Sequence, residues 1–190
     1  WVVADRDQQP RPETTMEGLR ALKAPFRTQG RVTAGNSSGL NDGACGLLLM
    51  SEERARELGL VPKMRLVGYA YAGVKPEIMG YGPVPATRRL FARTGLTMDD
   101  MGLIEINEAF AVQCLVFMHE FGLKMPEDER VNPLGGAIAF GHPLAASGPR
   151  LVLHLMHLFA AQPEVRHGLA ALCVGLGQGA AAIWENLSSS

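Results

Sequence analysis

The run GLIEINEAFAVQCLVFMHEF, Gly102 to Phe121, constrains the fold more than any other stretch. Its first five residues suit a strand, and a helical pattern opens at Asn107 with no intervening turn. A strand that ends directly in a helix belongs to an α/β layer architecture, and the rest of the chain keeps the alternation. Lys63 to Val74, with its β-branched and aromatic residues, predicts a strand; a glycine- and proline-bearing loop runs from Gly73 to Pro85, and Ala86 to Arg93 predicts a helix. After the charged loop MPEDER, the stretch from Asn132 supplies a glycine-rich strand or turn, and Leu144 to Ala161 a long apolar helix. Two apolar runs, GLAALCVG and GAAAIWE, are joined by glycines and predict an antiparallel hairpin, which makes the sheet mixed. Upstream, NDGACGLLLMSEERARELGL predicts a helix capped by Asn41 or Asp42 and ending near Gly59. The first thirty residues are polar and proline-bearing, without the periodicity of a domain start. With Trp1 in first place, the sequence reads as beginning partway through a larger protein.

A chain of 190 residues, 47% hydrophobic and 19% charged, is able to bury one or two cores. The net charge of -1 gives no electrostatic reason to expect nucleic acid or an anionic membrane as partner, and points to small molecules. No apolar run reaches the roughly 18 residues of a membrane span, so no integral membrane segment is expected. The opening WVVADRDQQPRPETT lacks the layout of a signal peptide. Cys45, Cys114 and Cys173 are scattered and odd in number, which argues against a disulfide framework and for a reduced, cytoplasmic compartment.

Candidate chemistry concentrates in NPLGGAIAFGHPLAASGPR, Asn132 to Arg150. The small residues Ala145, Ala146, Ser147 and Gly148 open a helix whose start favours negative charge, and His142 stands just before it. A histidine there can position a thiolate or polarise a carbonyl oxygen, or serve only the packing of a strand-to-helix turn. Cys173 ends an apolar strand and precedes Gly175, Gly177 and Gly179, an arrangement that leaves backbone N–H groups open to an oxyanion or merely buries a core cysteine in a hairpin. Gly175, Gly177 and Ala180 imitate a dinucleotide fingerprint, but the helix, strand and acid that must follow it are missing. Asn107 and Glu108 lie where open α/β sheets place ligands; Asn107 can hold a water or be an N-cap. His154 and His157, at i, i+3, lack a third ligand, so no metal is expected, and Cys114 reads as core.

In order, VTAGNSSGLNDGA from Val32, IMGYGPVPAT from Ile78, INEAFA from Ile106, GGAIAFGHPLAASG from Gly135 and LCVGLGQG from Leu172 resemble the blocks of the thiolases. The resemblance covers nearly the whole chain and is strongest to thiolase subunits of bacterial fatty-acid β-oxidation complexes. It implies an α/β, layered fold, the C-terminal half of a duplicated core, with a mixed five-stranded sheet covered by helices. Residues 1–30 would end a loop region, 31–62 complete the N-terminal core domain, and 63–190 form the C-terminal core domain. The implied activity is acyl transfer between an enzyme cysteine and CoA, with coenzyme A as substrate and no cofactor. By motif position, His142 would activate the nucleophilic cysteine and help hold the thioester oxygen; Asn107 would fix a water in that oxyanion site. Cys173 would be the acid/base, and the Gly175 N–H would serve the second oxyanion site. Ser38 and Ala34 fall where the family contacts pantetheine, Arg11 where an arginine lies by the CoA adenine, and Met79 and Phe110 where the acyl pocket is lined.

The chemistry needs these types. Breaking a carbon–carbon bond beside a thioester requires an enolate, stabilised by aligned donors, and a thiol tuned near working pH to move the proton. The family's nucleophilic cysteine belongs to an N-terminal half whose motif neither Cys45 nor Cys114 matches, so this chain alone would be inactive. Ala145 stands where many thiolases have glycine. Ketoacyl synthases share the architecture but have histidine where Cys173 stands. Implied partners are CoA thioesters, the N-terminal half, a second copy in a homodimer or tetramer, and a hydratase/3-hydroxyacyl-CoA dehydrogenase subunit. The alternative is a thiolase fragment that only binds CoA or a partner.

Overall fold

The computed structural model describes residues 1–3, 5–124 and 127–188 and builds one sheet from four strands. In chain order the elements are α1 (Met16–Ala21), α2 (Glu52–Glu57), β1 (Met64–Gly73), α3 (Pro83–Thr94), β2 (Leu103–Ile106), α4 (Ala111–Glu120), α5 (Ala137–Phe140), α6 (Leu144–Ala161), β3 (His167–Val174) and β4 (Gln178–Asn186). The spatial order is β1-β4-β3-β2, with β3 antiparallel to β4, β4 antiparallel to β1, and β2 parallel to β3. The mixed sheet and the closing hairpin are thus as the sequence predicts. Among the described residues, no helix is long and apolar enough to cross a membrane.

Alternation along the strands divides the core in two, because successive side chains point to opposite faces. Ile104, Ile106, Leu169, Ala171, Ala181 and Ile183 pack with Leu90 of α3 and Phe117 of α4. Leu103, Ala170 and Trp184 pack on the other face with Leu151, Leu155, Leu158 and Phe159 of α6. Cys173 has the register of Leu169 and Ala171, and Glu105 that of Leu103, so the two residues belong to opposite faces.

Two expectations are corrected. The sheet has four strands, not five. At the β2 edge only an isolated parallel bridge, Ile104 to Val131, stands where a fifth strand was expected. Asn132 adopts φ +46°, which takes the chain out of extended geometry after one residue. Its side chain continues the pairing: Oδ1 accepts from the Ile106 N–H at 2.8 Å and Nδ2 donates to the Ile106 carbonyl at 2.9 Å. The stretch from Asn132, expected as a glycine-rich strand or turn, makes a turn at Pro133 and Leu134, closed by the Gly135 N–H on the Asn132 carbonyl, and then the short α5. The helix expected from Asn41 is confined to Glu52–Glu57, and Ser51, not Asn41 or Asp42, caps it by accepting from the Arg54 N–H. Residues 41–50 have no regular structure, and Leu48 and Leu49 stand exposed. In the MPEDER loop, Met125 and Pro126 lie outside the described residues.

Candidate active site

His142 lies on a short linker between the end of α5 at Phe140 and the start of α6 at Leu144. Its N–H donates to Asn41 Oδ1 at 3.0 Å. Gly141, just before it, has φ +99°, and a Cβ there would come within 2.5 Å of that same oxygen, so only glycine fits. The imidazole is held at both nitrogens, Nδ1 lying 2.6 Å from Ser147 Oγ and Nε2 3.3 Å from Asn107 Nδ2. An amide NH2 only donates, so this arrangement suits a neutral ring protonated at Nδ1. Burial, and secondarily the Arg150 charge, hold the imidazole below the ordinary histidine range, in the same direction.

Asn107 is fully buried, and its Oδ1 has no hydrogen-bond partner among the described residues. It is not an N-cap: α4 starts at Ala111, and the cap position is Phe110. Gln113 holds the turn between them. Its Nε2 donates to the Asn107 carbonyl at 3.1 Å, and its Oε1 accepts from the Phe110 N–H at 3.3 Å. The same Oε1 lies 3.8 Å from the Cys173 sulfur, which donates to it. A polar series therefore runs from His142 through Asn107 and Gln113 to Cys173, across the end of the sheet. Burial pushes the Cys173 thiol up, which keeps it protonated near neutral pH.

Glu108 ties the two main motifs together. Its carboxylate accepts from the Ile138 N–H at 3.1 Å and from Asn132 Nδ2 at 3.2 Å, and a Cβ on Gly136 would overlap it. Met79 and Phe110 line one cleft of about 660 Å³ with Phe26, Val32 and Ile78, and Gln113 reaches its wall. Among the described residues of this lining, Glu77 is the one that is charged.

The remaining predicted residues are more dispersed. The Ser38 N–H donates to the Ala109 carbonyl at 3.0 Å, which joins the loop to the NEAF segment. Ala34, itself exposed, opens a half-buried 3-10 turn, Ala34–Asn36, capped by Thr33. Gly175 is exposed at the tip of the hairpin, with nothing within 4 Å of where a Cβ would stand. Arg11 is exposed and closes a turn with Thr14 through its carbonyl, apart from the His142 series. His154 bonds Glu105 at 3.0 Å while His157 is exposed, and Cys114 is half-buried against the α3/α4 core. Gln113 and Ser147 had no assigned role from sequence. A lone glutamine on the buried face of an apolar helix was the available signal for the first, and Ser147 offered none beyond its small size.

The family described as Thiolase, C-terminal domain matches residues 60–186, and that described as Thiolase, N-terminal domain matches residues 2–53. A 3-ketoacyl-CoA thiolase of Pseudoalteromonas translucida is 50% identical over 187 residues, 98% of this chain and 48% of the relative. A 3-oxoadipyl-CoA/3-oxo-5,6-dehydrosuberyl-CoA thiolase of Escherichia coli is 53% identical over 182 residues, 95% of this chain and 45% of the relative. The crystal structure of Bacillus anthracis acetyl-CoA acetyltransferase superposes with a TM-score of 0.89 at 46% identity, covering 96% of this chain and 45% of that one. Human mitochondrial 3-ketoacyl-CoA thiolase in complex with CoA superposes at 0.86 and 39%, with the same coverage. The chain thus spans about half the length of the relatives it matches. In sequence and in fold, it belongs to the thiolase family.

Proposed function

We propose that the chain supplies the acid/base and oxyanion-binding part of a 3-ketoacyl-CoA thiolase, acting with the thiolase half that carries the nucleophilic cysteine. The observation that carries this reading is the hydrogen-bonded series from His142 to Cys173, with Gln113 shared between it and an apolar cleft. In cleavage, the nucleophilic thiolate, formed with His142 as base, adds to the 3-keto carbon of the substrate. The bond between C2 and C3 breaks, its electron pair forming the enolate of acetyl-CoA. His142 Nε2 and a water held by Asn107 stabilise the thioester oxygen, and Cys173 gives its proton to C2. The resulting Cys173 thiolate takes the proton of incoming CoA, whose sulfur attacks the acyl-enzyme and releases the shortened acyl-CoA. The Gly175 N–H serves the oxyanion of that acyl group.

Ser38, Ala34 and Arg11 are proposed contacts for CoA, and Met79 and Phe110 for the acyl chain. The largely apolar lining suits an acyl chain, and the likeness to 3-ketoacyl-CoA thiolases supports a place in fatty-acid β-oxidation. The same reading includes at least a homodimer, a hydratase/3-hydroxyacyl-CoA dehydrogenase partner and a cytoplasmic setting. The test combines this chain with a thiolase N-terminal half and follows loss of a 3-ketoacyl-CoA on adding CoA. Turnover is expected, reduced about 100-fold or more by His142→Ala or Cys173→Ala. Turnover untouched by either change would reject the assignment, and CoA binding without turnover would leave a binding fragment.

A further inference from the structure

The linker that carries His142 is held from behind by a residue with no assigned part in the chemistry. Arg150, on the second turn of α6, donates from Nη1 to the Gly141 carbonyl at 2.7 Å. Its guanidinium lies over the Phe140 ring, 4.7 Å from the centroid. One side chain thus grips both residues before His142, at a place where α5 has ended and α6 has not begun. Asn41 holds the same linker through the His142 N–H. Glu105 and Glu108 offset the Arg150 charge, and Glu105 is fixed by His154, one turn further along α6. Phe140 also meets the His154 ring edge-on at 5.7 Å.

We infer that Arg150 is a positioning residue for His142, clamping the Gly141–His142 peptide so that the imidazole is presented to Asn107. This rests on the reading of His142 as the base. Around the imidazole, Asn107 from the end of β2 and Ser147 from α6 are neutral, and Arg150 is the charged group that acts on it. A positive neighbour disfavours the imidazolium, so the clamp that fixes the ring also keeps it a free base. Arginine suits the place because a planar guanidinium stacks and donates at once, which an ammonium does less well.

The test follows the imidazole directly, by NMR titration of the histidine Cε1–H signals of the chain, with His142 identified through His142→Gln. In Arg150→Gln the His142 signal is expected to move and its titration midpoint to rise, because a positive charge is gone. Arg150→Lys, which keeps the charge, is expected to bring the midpoint back toward the parent value. An unchanged midpoint in a folded Arg150→Gln chain would overturn the inference. If that variant does not fold, Phe140→Leu, which removes the ring beneath the guanidinium, must shift the His142 signal, and an unmoved signal overturns it equally. With the companion half, Arg150→Gln is expected to lower kcat about 10- to 100-fold with KM for CoA little changed. The NMR readout needs no turnover, so it separates failure of the clamp from failure of the thiolase reading.

Discussion

Two apolar runs of similar composition meet opposite fates in this molecule. GACGLLLM, Gly43 to Met50, has no regular structure, with Leu48 80% and Leu49 61% exposed. GLAALCVG, Gly168 to Gly175, is for most of its length a buried strand paired on both sides, to β2 and to β4. Apolar composition alone therefore does not bury a segment; neighbouring strands and a covering helix do, and β3 has α6 on one face and α3 and α4 on the other. Before Lys63, α1 and α2 are short and, among the described residues, Ala55 is the buried apolar one; the ties to the rest of the chain are single contacts, such as Ser38 to Ala109 and Asn41 to His142. Beyond it, side chains from distant segments interlock.

The sharpest way to break this contrast is a pair of truncations. Leu169→Ala, at a fully buried position in β3, is expected to cost about 2–5 kcal/mol, whereas Leu49→Ala is expected to change stability by no more than about 0.5 kcal/mol. Urea midpoints measure both, and equal costs would show that the two runs are packed alike. Asn41 sits on the seam between the regions, and Asn41→Ala leaves the half-buried His142 N–H without its acceptor, at an expected cost of about 1 kcal/mol. The causes that lower the His142 pKa, burial and Arg150, lie mainly in the second region. Thiolysis by the combined halves should therefore lose activity on acidification below the ordinary histidine value of 6.5, as the base is protonated, in parent and Asn41→Ala alike. It should fall again only above the ordinary thiol value of 9.0, where Cys173 loses the proton it must give. An acid limb that climbs to 6.5 in Asn41→Ala would transfer control of His142 to the first region. The smallest effect belongs to the exposed Arg56–Glu52 pair of α2, where Arg56→Ala is expected to cost under about 0.5 kcal/mol in thermal unfolding.

The same contrast explains what could be read in the sequence. The strands beyond Lys63, the hairpin and α6 were legible because runs of apolar residues coincide with real burial. The helix expected over Asn41–Leu60 was not, since the apolar residues that suggested its spacing do not share one buried face, Leu47 packing near α6 while Leu48 and Leu49 stand exposed; the signal that mattered was Ser51 before Glu52 and Glu53. Within the site, His142, Asn107 and Cys173 stood out as reactive types beside glycines. Gln113, Ser147 and Arg150 did not, because their roles arise from hydrogen bonds across the turns before α4 and α6, whose geometry residue type does not encode. The fifth strand failed for a local reason, the left-handed backbone of Asn132, which apolar patterning does not encode.

That asparagine has a wider effect. By supplying with its amide the two bonds a further strand residue would have made, it lets the chain leave the sheet early without exposing the edge of β2. Each added strand residue would carry the chain about 3.3 Å onward along the edge, so four more would displace the next turn by roughly 13 Å. Shortness is thus the useful property here: the length saved on one strand is what lets the following glycines double back and deliver a histidine to the end of its neighbour.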